Sequence, residues 1–246
     1  MDTQHLLPTI VGLSLFIAAT MGLQYWAGVR LGWQPLLAGL RAVVQLAAIA
    51  LVLRGVFTVP WTAGLFLILM VSIASLTSAR RISELPHSRK AAPVAIVTGA
   101  ITVITLVFAA QMLPLTTENV IAVGGIVTGN AMGAATLAGR KFMAASRAQR
   151  DQIEGWLALG ARPSQAFADV ARTSVKEMLI PNIDQTKNTG LVTLPGAFVG
   201  ALMGGASPIE AAHFQLVVLI SVMLAQTIVG IIETRILSQA TTIVTG

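Results

Sequence analysis

Seven stretches of this 246-residue chain are apolar for long enough to cross a bilayer. A hydrocarbon core of about 30 Å takes roughly 20 helical residues at 1.5 Å each. The runs lie near 6–27, 35–53, 60–79, 91–112, 120–139, 190–206 and 211–232. The expected fold is therefore an all-α polytopic transmembrane bundle of about seven spans, a single domain over 1–246. A hydrophobic share of 55%, a charged share of 11% and a mean hydropathy of +0.79 exclude an ordinary soluble domain. No Lys or Arg precedes Arg30, so the first run lacks the cationic leader of a cleaved signal peptide and is expected to stay as a span.

The formal charge of +6 is informative through its placement. With the N-terminus outside, fourteen of the sixteen Lys and Arg residues fall in internal segments, Arg54 alone is external, and Arg41 lies inside the second run. The positive-inside bias therefore puts the N-terminus outside and the C-terminus in the cytoplasm. Most of these cations are expected to form a solvated face against lipid headgroups, not a nucleic-acid site. Cysteine is absent, which removes disulfides, thiolate metal sites and cysteine nucleophiles.

Residues 140–189, between spans five and six, carry half of the cations and five of the ten acids. Ile153, Trp156, Leu157 and Gly160 share one helix face, with Arg150 and Glu154 paired at i,i+4 opposite. Gly160 is expected to end that helix. Pro163 suits the first turn of a second, whose apolar face is Phe167, Val170, Ala171, Ser174, Val175 and Met178, and Pro181 is expected to stop it. By itself the segment also fits an amphipathic helix lying on headgroups.

Glu154 and Gly160, followed by Ala161, Pro163, Gln165, Ala166 and Phe167, resemble the EAA loop of ABC-transporter permeases, E-A-A-x-x-x-G, with Gly155 and Trp156 replacing its alanines. "RAVVQL" (41–46), "GNAM" (129–132), "RDQIEGWLALGARPSQA" (150–166), "LIPNID" (179–184), "GLVTLPG" (190–196) and "SPIEAAHFQL" (207–216) together resemble the FetB/YbbM-type permeases, bacterial iron exporters and plant aluminium-tolerance proteins. The resemblance implies a homodimeric, multi-pass permease of the bacterial inner membrane, coupled to a separate FetA-type ATPase and moving iron or another metal. It makes Glu154, Trp156, Leu157, Leu159, Gly160, Ala161, Pro163 and Phe167 the ATPase-coupling elbow. The family's L-P-G-M-M reads Ala197 and Phe198 at the methionine positions, so a thioether metal site is not expected there.

Polar groups inside spans need a partner or a wet cavity, since an Arg at mid-helix costs about 2.5–3.5 kcal/mol on insertion scales. Arg41 and Gln45, one turn apart, are expected to bond each other along a substrate path, or else Arg41 snorkels to headgroups. Asn130 and Met132 are further path candidates among Gly125, Gly129 and Gly133, which form a smooth packing or gating face. Pro195, Gly196, Gly200 and Gly204 repeat that device in the sixth run. Glu210 and His213, at i,i+3, are weak metal candidates beside a helix start capped by Ser207 and Pro208. Gln226 reads as an interhelical hydrogen bond.

No G-x-x-x-x-G-K-[ST] loop, H-E-x-x-H or G-x-S-x-G is present, so no enzyme is expected; the chain should bind no cofactor, with ATP and Mg held by the partner. An ion-coupled secondary transporter is disfavoured by the lack of midplane ionisable groups and of a repeat. A membrane scaffold would leave Arg41 and Asn130 replaceable.

Overall fold

The computed structural model describes residues 3–59 and 61–240, with Pro60, where the third apolar run was placed to begin, outside them. The described residues form ten α-helices and a single isolated bridge, Thr189 to Thr193. The chain divides into two units, 1–59 and 60–246.

The first unit is a hairpin of α1 (Thr3–Trp26) and α2 (Gln34–Thr58). The two helices pack on each other, but their apolar windows are unburied, as suits helices whose solvent is lipid. The turn between them runs through Gly28 and Gly32, both at positive φ.

The second unit begins with α3 (Thr62–Arg81), α4 (Ser88–Ala109) and α5 (Thr117–Ala148). It continues through α6 (Arg150–Ala158), α7 (Pro163–Ala166), α8 (Ala168–Asn188) and α9 (Gly196–Met203) to α10 (Pro208–Leu237). Helix α10 packs on α4, α5, α8 and α9, while α3 packs on α4 and α5. Small residues make this closeness possible. Ala91, Ala92, Ala95 and Ala100 are fully buried along α4, and a Cβ on Gly99 would stand 2.7 Å from Val229 Cγ2. Gly139 admits Ile82 just as closely, Gly124 admits Leu67, and Gly230 admits Met178. Across the α3–α5 seam the buried Ser78 and Thr136 hydroxyls meet at 3.2 Å.

The segments that the charge bias assigns to one side of the membrane meet at one end of this unit. Ile82 and Leu85 from the α3–α4 turn join one apolar cluster with Phe142, Ile153, Phe167 and Leu237. Arg147 Nη2 reaches Glu84 Oε2 at 3.1 Å above it.

Six described helices, not seven, are long and apolar enough to cross a membrane. The difference lies in the run at 190–206, where α9 has only eight residues, about 12 Å of helix. Gly190 at φ +88°, Pro195 and the glycines that follow break the helix there. The approach is made by α8, which continues past Pro181 to Asn188. Pro181 was expected to stop it; the proline removes one backbone donor, and packing against α5 and α10 carries the helix through. Helix α5 likewise runs on to Ala148, so the first residues of 140–189 extend a span.

Candidate functional site

The turn after α6 is built by backbone geometry. Gly160 adopts φ +85°, its N–H donates to the Leu157 carbonyl at 3.0 Å, and the Ala161 N–H donates to the Trp156 carbonyl at 3.0 Å. This is the pair of bonds that closes a helix through a left-handed glycine. The chain restarts at once: the Arg162 N–H donates to Gln165 Oε1 at 2.9 Å and Pro163 occupies the first helical position. Arg150 Nε donates to Glu154 Oε1 at 2.7 Å, pinning α6 on its outer face.

The elbow is anchored on one side and bare on the other. Ile153 and Phe167 are buried, and the Phe167 ring stacks on Phe142 with centroids 5.6 Å apart. Leu157 and Ala161 are half-buried, whereas Trp156 is 50% and Leu159 83% exposed. Trp156 shares a helix face with the buried Ile153 yet stays half exposed. Next to the elbow, Lys141 Nζ donates to Glu177 Oε2 at 2.9 Å. That hydrogen bond, with the ammonium charge, holds the Glu177 carboxyl below its ordinary range. The pair's small, salt-screened contribution is therefore present at neutral pH and is lost as pH falls through the lowered value.

A second feature lies between α5, α8 and α10. A cavity of about 290 Å³ is lined by Gly129, Asn130, Met178, Asn182, Gln185 and Gln226 among others. A neighbouring one of about 240 Å³ shares Asn130, Asn182 and Gln185 and adds Gln215 from α10 and Pro195 from the break before α9. Among the described residues five primary amides line the two chambers, and no ionisable side chain does. Asn130 Nδ2 donates to the Ile126 carbonyl at 2.9 Å. Asn182, Gln215 and Gln226 are buried, and Asn182 Oδ1, Gln215 Oε1 and Gln226 Oε1 have no hydrogen-bond partner among the described residues. Gly129, Gly133, Pro181 and Gln185 are exposed, so the larger chamber opens sideways.

The remaining candidates distribute unevenly. Arg41 and Gln45 sit exposed on α2 in the first unit, with no hydrogen bond between them among the described residues. Met132 packs against the apolar cluster and lines neither chamber. Gly125 lies against Met70, but a Cβ on Gly129 or Gly133 would meet nothing within 4 Å, so those two shape the cavity wall and the close helix contacts fall on Gly124 and Gly139 instead. Gly196 and Gly200 are also open, on a helix with no buried residue. Gly204 ends α9. Glu210 is committed to its cap, accepting from the Ser207 N–H at 2.9 Å and hydroxyl at 2.8 Å, while His213 is exposed. Among the described residues no group of three His, Asp or Glu is placed to hold a metal. The interhelical hydrogen bond expected of Gln226 is not found among the described residues, where its Oε1 has no partner.

Sequence reasoning did not single out Asn182, Gln185 and Gln215, although Asn182 and Gln215 lie within the quoted stretches 179–184 and 207–216; their common amide chemistry was the available signal. It also missed Glu233, fully buried on α10 between Val229 and Leu237 with both carboxyl oxygens unpartnered among the described residues. An unmet buried polar group costs about 1–3 kcal/mol. Glu233→Met is therefore expected to raise the thermal unfolding midpoint in detergent, and a lowered midpoint would show that the carboxyl has a stabilising partner.

A model of the uncharacterised protein family UPF0014 matches residues 8–241. The UPF0014 membrane protein STAR2 of Oryza sativa subsp. japonica is 36% identical over 226 residues, 91% of this chain and 79% of that protein. Protein ALUMINUM SENSITIVE 3 of Arabidopsis thaliana is 32% identical over 196 residues, 79% of this chain and 72% of that protein. The probable iron export permease protein FetB of Escherichia coli (strain K12) is 31% identical over 181 residues, 72% of this chain and 70% of that protein. No solved structure matches significantly.

Proposed function

The chain belongs to the UPF0014 family, a family of multi-pass membrane proteins, and on that premise we propose that it is the permease subunit of an ATP-driven exporter of iron or another metal. It binds no nucleotide itself; a separate FetA-type ATPase holds ATP and Mg and docks on the elbow at 154–167. The observation that carries this reading is the elbow's division of labour. An exposed Trp156–Leu159 knob is fixed to the bundle through Phe167 and Phe142, so force applied to the knob reaches α5 and α8 directly. A knob that only lay on headgroups would have no use for such an anchor. The abundance of cations around it supports the cytoplasmic side, where an ATPase is available.

The sideways opening of the amide-lined chamber supports a homodimer. Gly129 and Gly133 lie about 18–24 Å along α5, at a depth where exposed amides are costly against lipid and a second copy would cover them. The unpacked Gly196 and Gly200 face suits the same seam or a moving gate. Among the described residues no ionisable group lines the two chambers, which disfavours an ion-coupled secondary transporter.

The test is uptake into inside-out vesicles carrying this protein and its cognate ATPase, with a panel of divalent metals. Metal uptake that needs both proteins and ATP is the expected result. Transport by the permease alone down an ion gradient, or failure of every metal in the panel, would overturn the proposal.

A further inference from the structure

With no ionisable side chain on their described lining, the chambers between α5, α8 and α10 hold nothing that replaces the water of a bare cation or neutralises a free anion. What they present is set by how the amides are turned. Asn182 Oδ1, Gln215 Oε1 and Gln226 Oε1 are shut into the walls without a donor among the described residues, whereas the nitrogens of the same groups are not enclosed. Each of these amides thus turns its N–H edge to the open space. Asn130 is reversed, since its Nδ2 is spent on the Ile126 carbonyl at 2.9 Å and Oδ1 is left as an acceptor. Gln185, exposed at the sideways opening, can offer either edge. A third cavity of about 390 Å³ adjoins the smaller chamber through Pro195, Gln215 and Leu219, and its wall is mainly Leu194, Phe198, Leu216 and Leu219. Amide donors beside hydrocarbon suit a ligand of low charge that carries oxygen acceptors and apolar groups on its outside.

We infer that this cavity takes the metal already enclosed in an oxygen chelator, as a complex of low overall charge. The N–H edges of Asn182, Gln215 and Gln226 donate to the chelator's oxygens, and its hydrocarbon lies in the apolar pocket between the start of α9 and α10. A chelator meets each demand of this lining. Its anionic oxygens cancel the metal's charge, so no buried counter-charge is needed, and they keep lone pairs for outer hydrogen bonds. Its carbon frame faces outward. The inference rests on the metal-transport reading for its choice of cargo and names the form in which that cargo is carried. Discrimination then falls on the shape and charge of the chelate, and only weakly on which metal it holds.

The probe is chromium(III) tris(acetohydroxamate), an inert, neutral complex with coordinated oxygens and methyl groups on its surface. It is titrated against the purified full chain in lipid nanodiscs, with empty nanodiscs as background and bound chromium counted by elemental mass spectrometry. Saturable binding is expected. Four comparison ligands should each bind about tenfold more weakly or worse, because each lacks the acceptors, the neutral charge or the metal. They are manganese(II) alone, cobalt(III) hexaammine with only N–H donors, chromium(III) tris(oxalate) with its negative charge, and the metal-free hydroxamic acid. Gln226→Met and Asn182→Leu should each weaken the neutral complex about fivefold, the effect of one lost hydrogen bond between neutral groups. Gln226→Glu, which keeps the side chain's shape but exchanges its N–H edge for an acceptor, should weaken the neutral complex and strengthen the hexaammine, a reversal that a merely structural role would not give. No saturable binding of the neutral complex, equal binding of any comparison ligand, or Gln226 variants with the parent's affinities overturns the inference. The vesicle assay, run with each metal supplied as its salt and as its chelate, keeps the two readings apart. ATP-driven uptake from the salts alone, or by a chain that binds no chelate, removes only this inference, and chelate binding without ATP-driven uptake removes only the transport proposal.

Discussion

On the proposed coupling to an ATPase, Gly160→Val is expected to cut coupled transport about tenfold while the permease stays folded and ATP hydrolysis continues. At φ +85° the residue is in the left-handed region, where an L side chain costs about 1–2 kcal/mol, and a β-branched one more. A difference of 1.4 kcal/mol is a factor of ten in population, so the native elbow should become at least about tenfold rarer. Space is not the cause, because a Cβ at Gly160 would meet nothing within 4 Å. The effect comes from the backbone alone. Losing the left-handed turn breaks the bonds from Gly160 and Ala161 to α6 and re-aims Trp156 and Leu159. Gly160→Asn, which tolerates this conformation, should restore most of the activity. The measurement is metal uptake and phosphate release in the same vesicles; equal coupling in the valine variant and the parent would remove the elbow from the mechanism.

Phe167→Ala is expected to be the most damaging substitution for stability. Phe167 is 2% exposed and stacked on Phe142 at the meeting point of the α3–α4 turn, α5, α8 and α10. Truncating a buried phenylalanine costs about 3–5 kcal/mol through lost transfer free energy and the cavity left behind. Thermal unfolding in detergent should show a large drop in midpoint, with Phe167→Leu intermediate and Trp156→Ala near the parent because Trp156 is half exposed. A parent-like midpoint for Phe167→Ala would mean that the elbow is not anchored as described.

The helical membrane fold was legible because its signal is local. A run such as 91–112 is long, apolar and uninterrupted, and hydrocarbon permits it one structure. The family resemblance, read from ordered short motifs between Arg41 and Gln215, agrees with the match over residues 8–241. The elbow was legible too, since Gly160 and Pro163 act within a turn of themselves. Pro181 misled because the missing N–H is a local fact, whereas the helix persists through contacts with α5 and α10. The run at 190–206 misled for the opposite reason: its composition is apolar enough for a span, but Gly190, Pro195 and the later glycines leave only eight helical residues.

The sequence by itself determined that this chain lives in a membrane as helices, which of its segments share one end, and where α6 must turn. Those properties follow from hydropathy, charge placement and backbone preference, all of which act over a few residues. Tertiary structure alone decided that Gly129 and Gly133 border a cavity while Gly124 and Gly139 take the helix contacts, that Glu233 is enclosed, and that amides from 130, 182, 185, 215 and 226 converge. Which face of a helix meets which neighbour is settled by the packing of whole helices against one another, and no single stretch of the chain contains that information.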